Sequence, residues 1–135
     1  MKTASLTLLP LTAHGTETGN YDGISEEFNG IAVKAAAYYA KNKTVQTVSW
    51  YVSEFTGTII IEGTLDVDPA TATFFQISES ITNIPEPTVP PEPPAPEPIP
   101  MTVNNARNIE GNFTWIRVRI TDFTAGSISK IVVSY

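Results

Sequence analysis

Residues 52–59 read VSEFTGTI, and residues 120–128 read ITDFTAGSI. In both segments an aliphatic residue is followed by Ser or Thr, an acid, Phe-Thr, a nearby Gly and finally Ile. Each segment joins two stretches in which apolar and polar residues alternate, the pattern of strands with one buried face. A Gly in such a joint can supply the positive φ that a tight hairpin needs. We refer to the two segments as the repeated motif, and they predict two equivalent hairpins, one in each half of the chain.

Individual residues of the repeated motif have predicted roles in these hairpins. The glycines would adopt the positive φ, the acids would accept hydrogen bonds from turn amides, and the phenylalanines would anchor each turn at the edge of the core. These residues are Gly57, Glu54 and Phe55 in the first copy and Gly126, Asp122 and Phe123 in the second. The motif is therefore interpreted as a folding device rather than as a binding site.

The rest of the chain offers short strands with a period of two, seven or eight in total. Apolar residues that share a strand face are Leu6, Leu8, Val48, Trp50, Val52, Ile59, Ile61, Leu65, Ile116, Val118, Ile120, Ile131, Val133 and Tyr135. Residues 31–40 are ambiguous, because three consecutive alanines favour helix whereas the alternation favours strand. We favour strand. Together with the two hairpins, these strands predict an all-β fold, an antiparallel β-sandwich of jelly-roll type.

Residues 84–100 read IPEPTVPPEPPAPEPIP and contain nine of the eleven prolines. Proline lacks an amide donor and has a fixed φ, which excludes an interior strand or a helix. A polyproline II conformation at about 3.1 Å per residue would reach on the order of 50 Å. This predicts an extended arm that grips a neighbouring subunit, with an idle loop as the alternative. The chain is then divided into residues 1–84, the first part of a single sandwich, residues 85–100, the proline-rich segment, and residues 101–135, the strands that complete the sandwich.

The composition restricts the function classes. The 135 residues carry 14 acids and 8 bases, a net charge of −6, which argues against nucleic acid or an anionic membrane as a partner. Cysteine is absent and His14 is the only histidine, so a thiol nucleophile, a disulfide and an ordinary zinc site are excluded, and no catalytic triad motif accompanies His14. No signal peptide or transmembrane segment is predicted, and we expect a soluble chain without catalytic residues or cofactors.

Two weaker binding hypotheses remain. Glu62, Asp66 and Asp68 could coordinate calcium, although DVDP is also a common turn sequence, and the turn is favoured. Exposed aromatic rings could bind a glycan, and the candidates are Tyr38, Tyr39, Trp50, Tyr51, Phe113 and Trp115. In each adjacent pair the strand pleat would direct one ring into the core and the other to solvent. A glycan platform is therefore a minor alternative.

Three blocks carry a resemblance to a known group of proteins. They read VKAAAYYAKNKTVQTVSWYV (33–52), FTGTIIIEGTLDVDPATATFFQI (55–77) and GNFTWIRVRITDFTAGSISKIVVSY (111–135). The blocks resemble small β-sandwich virion proteins of tailed bacteriophages that infect cyanobacteria and aquatic bacteria. A dense proline tract is not part of that group's pattern. The resemblance implies a passive part of a particle, such as a head decoration, neck, fibre or baseplate component, and it implies no catalytic residues.

The expected function is that of a non-enzymatic virion protein, a capsid decoration or cement protein that stabilises the head as a homo-oligomer. It would be assembled in the host cytoplasm and would contact the major capsid protein or a neck or tail protein. The alternatives are a neck, tail-fibre or baseplate component, or a carbohydrate-binding module for host adsorption. The predicted interaction residues are Pro85, Pro87, Pro90, Pro91, Pro93, Pro94, Pro96 and Pro98 in the arm, with Arg117 and Arg119 on a strand face turned toward an acidic shell.

Overall fold

The computed structural model describes residues 5–39, 44–83 and 99–135, and the regular secondary structure of these residues is almost entirely β-strand. The elements in chain order are β1 (Ser5–Leu9), β2 (Thr12–Ala13), β3 (Phe28–Asn29), β4 (Val33–Lys34), α1 (Ala36–Tyr39), β5 (Val45–Thr64), β6 (Phe75–Gln76), β7 (Ile81–Thr82), β8 (Met101–Glu110) and β9 (Trp115–Ser134). The predicted all-β class is confirmed. Strands from both sides of the proline tract belong to the same sheet.

Two strands of 20 residues each, β5 and β9, form the spine of the fold. They pair antiparallel over almost their whole length, from Thr47 opposite Ser134 to Thr64 opposite Trp115. The strands β1 to β4 line the free side of β9, and β6 to β8 line the free side of β5. The described strands thus form one continuous nine-stranded sheet. The sandwich and the jelly roll, which would separate the strands into two sheets, are not confirmed.

The repeated motif does not form hairpins, and that prediction is wrong. Residues 52–59 lie in the middle of β5, residues 120–128 lie in the middle of β9, and the two copies pair with each other in opposite directions. The register shifts there, and the backbone of Glu54 (φ 53°) and Asp122 (φ 54°) takes the left-handed conformation instead of that of Gly57. Each copy is therefore a β-bulge, an irregularity that kinks a strand without ending it.

The bulge in β5 changes which residues face the core. Before it, the buried residues are even-numbered, namely Gln46, Val48, Trp50 and Val52. After it, the fully buried side chains are odd-numbered, namely Phe55, Ile59 and Ile61. An inserted residue shifts a period of two by one position, which accounts for the change. The strand ends at Thr64, so Leu65, which was predicted to share the face of Ile61, is 63% exposed and that prediction is wrong.

Matching bulges allow the paired strands to bend until distant parts of β9 lie side by side. Ile131 and Val118 are 13 residues apart in β9. On a straight strand, segments that contact β9 at these two residues would therefore be about 43 Å apart. Instead the Leu8 carbonyl of β1, which pairs with β9 at Ile131, accepts the Ile31 N–H at 2.7 Å, and the adjacent Gly30 N–H donates to the Val118 carbonyl at 2.8 Å. The apolar face of the sheet consequently encloses a single core.

Aromatic rings fill the core next to the bulges. Phe55 and Phe123 are fully buried and stack with their centroids 5.7 Å apart, so the ring of each copy packs on the ring of the other. Tyr21 and Phe28 pack against Phe123 at 5.3 and 5.9 Å. The phenylalanines of the repeated motif therefore lie within the core cluster instead of anchoring a turn at its edge.

The predicted strand over 31–40 is correct only at β4, because the chain turns into α1 at Ala36. Ala35 and Ala36 are fully buried, which a small side chain allows at a close approach to β5. The buried Gln46 accepts the Ala36 N–H at 3.2 Å and donates to the Ile109 carbonyl at 2.6 Å. The Gln46 side chain thereby supplies a hydrogen-bond acceptor for the Ala36 N–H, which has none within α1, and it connects α1 to the sheet.

The loop between β2 and β3 is organised by Asp22. One carboxylate oxygen accepts the Ile24 and Ser25 N–H groups at 2.8 and 2.6 Å, and the other accepts the Ser25 hydroxyl at 2.7 Å. These bonds favour the ionised form, with the Ser25 N–H as the largest contribution, and they lower the pKa of Asp22 from 3.8 to about 2.

The lowered pKa makes the loop sensitive to acid. Because the folded pKa lies below the unfolded value, the stabilisation is complete above pH 3.8 and is lost as the pH falls through about 2. We expect an NMR titration of the Asp22 carboxyl to have its midpoint near pH 2, and Asp22→Asn to remove the corresponding acid-dependent change in the Ile24 and Ser25 amide shifts. A midpoint close to 3.8 would contradict the hydrogen-bonded turn.

Candidate functional site

The predicted interaction residues fall into two groups in the structure. Pro85, Pro87, Pro90, Pro91, Pro93, Pro94, Pro96 and Pro98 lie outside the described residues. Arg117 and Arg119 lie on the outer face of β9, as the alternation with buried Ile116, Val118 and Ile120 predicts. The two arginines were predicted to face an acidic partner, and that role stays a prediction.

The structure places the two arginines in an ion cluster with acids of the same chain. Arg117 donates from Nε to the Glu62 carboxylate at 2.9 Å, and Arg119 Nη1 donates to Glu27 at 2.9 Å. Arg119 Nε also lies 3.3 Å from the other Glu62 oxygen, within ion-pair distance but without hydrogen-bond geometry. The guanidinium of Arg117 stacks over Phe74 at 4.0 Å. We call Arg117, Arg119, Glu62 and Glu27 the ion cluster.

Glu62 is the buried centre of the ion cluster. Its side chain is 8% exposed, whereas the side chains of Arg117 and Arg119 are 25% and 34% exposed. Burying a carboxylate is costly unless it is paired, and two guanidinium groups pair this one. The arginines therefore hold Glu62 in place first, and only part of their surface is available to another molecule.

The described residues on either side of segment 84–98 meet at Asn83. The Asn83 side chain donates to the carbonyls of Phe55 and Ile99 at 2.8 and 2.7 Å, and it accepts the Gly57 N–H at 3.1 Å. Ile99 is the first described residue after 84–98, so the residues that flank this segment are held together next to the β5 bulge. Ile99 is 81% exposed, so the ends lie at the surface. We call these contacts the Asn83 clamp.

Asn83→Ala removes all three hydrogen bonds of the Asn83 clamp. Since each is worth about 1 kcal/mol and the amide of buried Gly57 would lose its partner, we expect the free energy of unfolding to fall by about 2 kcal/mol in urea denaturation followed by tryptophan fluorescence. Asn83→Asp keeps the acceptor for Gly57 but turns a charge toward two carbonyls, and it should be at least as damaging. Asn112→Ala, at an exposed turn, should change stability by less than about 0.5 kcal/mol. Equal effects of Asn83→Ala and Asn112→Ala would contradict the clamp.

Aromatic side chains meet where β5 ends and β9 begins. Tyr38, on α1 and 40% exposed, packs edge-on against Trp115 at 5.7 Å, and the Lys34 ammonium lies 4.5 Å over the Tyr38 ring. Phe75 and Phe113 form a second edge-on pair at 6.2 Å. The sequence named three of these rings, Tyr38, Phe113 and Trp115, and the fold brings them to one end of the sheet. We call this region the aromatic end.

A cleft of about 300 Å³ opens at the aromatic end, between α1 and the turn that precedes β9. It is lined by Ala37, Asn112, Phe113 and Thr114. The Thr114 hydroxyl donates to the carbonyls of Thr64 and Asp66, so it is engaged within the protein, whereas Asn112 is exposed. The cleft thus offers an aromatic ring and an exposed amide side by side.

The other candidate residues from the sequence are the remaining aromatic rings, the single histidine and the acidic segment. Trp50 is buried and Tyr51 faces outward, as the pleat predicts, while the side chain of Tyr39 lies outside the described residues. His14 is exposed, and its ring packs edge-on against Phe123 at 5.3 Å. Asp66 and Asp68 accept backbone N–H groups of Thr73 and Ala70, which confirms the turn interpretation of this acidic segment.

Among residues 5–39, 44–83 and 99–135, no group of three or more His, Cys, Asp or Glu could hold a metal ion. In that same part of the chain, no helix is long and apolar enough to cross a membrane. Comparisons with protein-family models, with curated proteins and with solved structures give no match. The resemblance to phage virion proteins therefore stays a prediction.

Two features of the site were missed by the sequence analysis. The strand β8 was not identified, because MTVNNARNIE places polar residues on both faces and carries no clear alternation. Asn83 was not singled out either. An asparagine immediately before a proline-rich tract is a weak signal that such a residue closes the loop.

Proposed function

We propose that the chain is a non-enzymatic structural protein of a tailed-phage particle, a decoration or cement protein that binds the head as a homo-oligomer. The observation that supports this proposal best is the Asn83 clamp, which fixes both ends of the proline tract at one exposed place on a bent all-β unit. A tract presented from a fixed point contacts a neighbouring virion protein at a high effective concentration. A neck, tail-fibre or baseplate position would use the same arrangement.

The clamp limits how the tract can act. Since it must return to the residue beside its origin, any contact it makes lies within about half its extended length, roughly 25 Å of the clamp at 3.1 Å per residue. This is shorter than the 50 Å reach expected for an arm with one free end. The contact in this proposal is therefore with an adjacent subunit, beside the surface on which the protein sits.

The ion cluster provides the second contact surface in this proposal. Arg117 and Arg119 are paired within the chain but retain part of their exposed area, so they would meet an acidic shell as members of the cluster rather than as isolated cations. Such a surface gives modest, salt-sensitive attraction. Particle binding is then expected to weaken at high salt, while the contribution of the tract persists.

The test replaces residues 84–98 with a short Gly-Ser linker, which the adjacent ends at Asn83 and Ile99 can accept without strain. We expect unchanged unfolding of the isolated protein, but reduced occupancy on particles that lack the native protein and release of DNA at a lower temperature. A matched control replaces the same residues with a Gly-Ser segment of equal length, which separates the effect of the prolines from the effect of the segment length. Unchanged occupancy would remove the tract from the mechanism, and failure of the unaltered protein to bind particles would overturn the proposal.

The aromatic end favours a second candidate function, a glycan-binding module for host adsorption. Sugars stack on exposed rings and hydrogen-bond to amides, and here exposed Tyr38 lies on the helix that borders the cleft containing Asn112. Binding on a glycan array that is lost in Tyr38→Ala and retained in Tyr51→Ala, on a different face, would support this candidate. An array without binding would exclude it.

A further inference from the structure

One edge of the sheet differs from the others. Among the described strands, those that line the spine have five residues or fewer, except β8, which has ten. The strand β8 pairs with β5 along one side, and its other side has no strand partner in the described part of the chain. A long edge strand presents a row of backbone donors and acceptors on which another strand can pair.

The side chains of β8 leave this edge accessible. Arg107, which faces the core side of the strand, is drawn inward by hydrogen bonds to Ser78 and Glu79 and lies over Trp50 at 5.7 Å. The opposite face carries uncharged side chains up to Glu110 at the end of the strand. These are Thr102, Asn104, Ala106 and Asn108. Lysines, which protect many edge strands, do not occur in β8, and the register shift in its pairing with β5 lies at its first residues, between Val52 and Phe55 of β5.

A side-chain contact shows which backbone groups point outward. The Ala106 N–H binds the side-chain oxygen of Asn105 at 2.8 Å, so it does not point toward β5. Both backbone groups of a residue in an antiparallel strand point to the same side, and the sides alternate along the strand. The even-numbered residues of β8 therefore direct their N–H and C=O groups to the free edge, and the Asn105 side chain would release the Ala106 N–H when a second strand pairs there.

We propose that the occupant of this edge is β8 of a second copy, paired antiparallel across a two-fold axis at Asn105. Because the even-numbered residues direct their backbone groups to the free edge, they must lie opposite the even-numbered residues of the second copy. This register meets that requirement, with Asn104 opposite Ala106 and Thr102 opposite Asn108. On the core side, Met101 faces Ile109 and Asn105 faces its own copy. No like charges face each other, because Arg107 lies opposite Val103. This dimer gives the homo-oligomer of the proposed function a specific interface, but it forms in solution without a particle.

The symmetric position gives a direct test by charge exchange. Asn105→Asp and Asn105→Lys each place like charges opposite one another, so each variant alone should weaken the dimer about tenfold or more. An equimolar mixture of the two should restore dimers, as heterodimers. Sedimentation velocity over a range of concentrations measures both results, and circular dichroism checks that the variants are folded.

Asn108→Asp is the matched control, since it adds the same charge to the same strand opposite Thr102 and keeps the oxygen that accepts the Thr47 hydroxyl. We expect its dimerisation to match that of the unaltered protein. A monomeric unaltered chain at all concentrations would overturn the proposal. It would equally be overturned if Asn105→Asp and Asn108→Asp behaved alike, or if the Asp and Lys variants failed to associate on mixing.

Discussion

Gly126→Ala is expected to lower the free energy of unfolding by about 4 kcal/mol, one of the largest effects of any single substitution in this chain. Gly126 has a φ of +86°, and a Cβ built there would lie 2.1 Å from the carbonyl oxygen of Glu54 and 2.7 Å from the Cα of Phe55. Both contacts are with backbone, which has no rotamer through which to move away. The bulges of β5 and β9 would have to separate, and the buried rings between them would lose their packing.

Gly15→Ala is the matched control for this prediction. Gly15 has nearly the same φ, +87°, but a Cβ there meets nothing within 4 Å. Its cost is then the conformational strain alone, about 1–2 kcal/mol. Urea denaturation followed by tryptophan fluorescence measures both variants. Similar losses of stability would show that strain dominates, and that the close approach of the two strands at Gly126 contributes little.

The contact at Gly126 explains why the motif occurs twice. A bulge in one strand of a long pair disrupts the ladder, because its partner has no matching extra residue. Here the copy in β5 lies opposite the copy in β9, so both strands kink at the same place and the pairing resumes on either side. The repeat is thus a requirement of the bend, which in turn lets the apolar face close on itself.

The sequence predicted the strands better than their connections. The alternation of Val48, Trp50 and Val52, and of Ile116, Val118 and Ile120, is local, and all six side chains are buried as predicted. Hairpins and bulges, however, use the same residue types. What distinguishes them is which distant strand pairs with the motif, and those partners lie 61 to 76 positions away in the chain, from Ile59 opposite Ile120 to Val52 opposite Ile128.

The candidate site was less predictable for the same reason. Arg117 and Arg119 were identified as an exposed basic face from their own strand alone. Their partners Glu62 and Glu27 are 55 and 92 residues away in the chain, and no local pattern connects them. The aromatic end was partly predictable from the sequence. The rings were recognised from the sequence, but only the meeting of α1 with β9 places Tyr38 beside Trp115.

Glu62→Ala is expected to cost about 3 kcal/mol of stability, because it removes the buried anion between two cations. Breaking a buried ion pair costs about 3–5 kcal/mol, and the lower value applies here since the arginines are partly solvated. Without Glu62, Arg117 and Arg119 lie two positions apart on one strand face with like charges. Glu62→Gln, which retains the volume, should recover part of the loss and so separate packing from charge.

Glu27→Ala tests the same cluster from its exposed side. The Glu27 side chain is 62% exposed, and its pair with Arg119 should contribute less than about 1 kcal/mol and weaken further at high salt. The effect of Glu62→Ala should depend much less on salt, because the contacts it removes are shielded from solvent. Chemical denaturation at low and high salt compares the two variants. If Glu62→Ala were no more costly than Glu27→Ala, the buried carboxylate would not be a stabilising centre, and the arginines would be available to a partner after all.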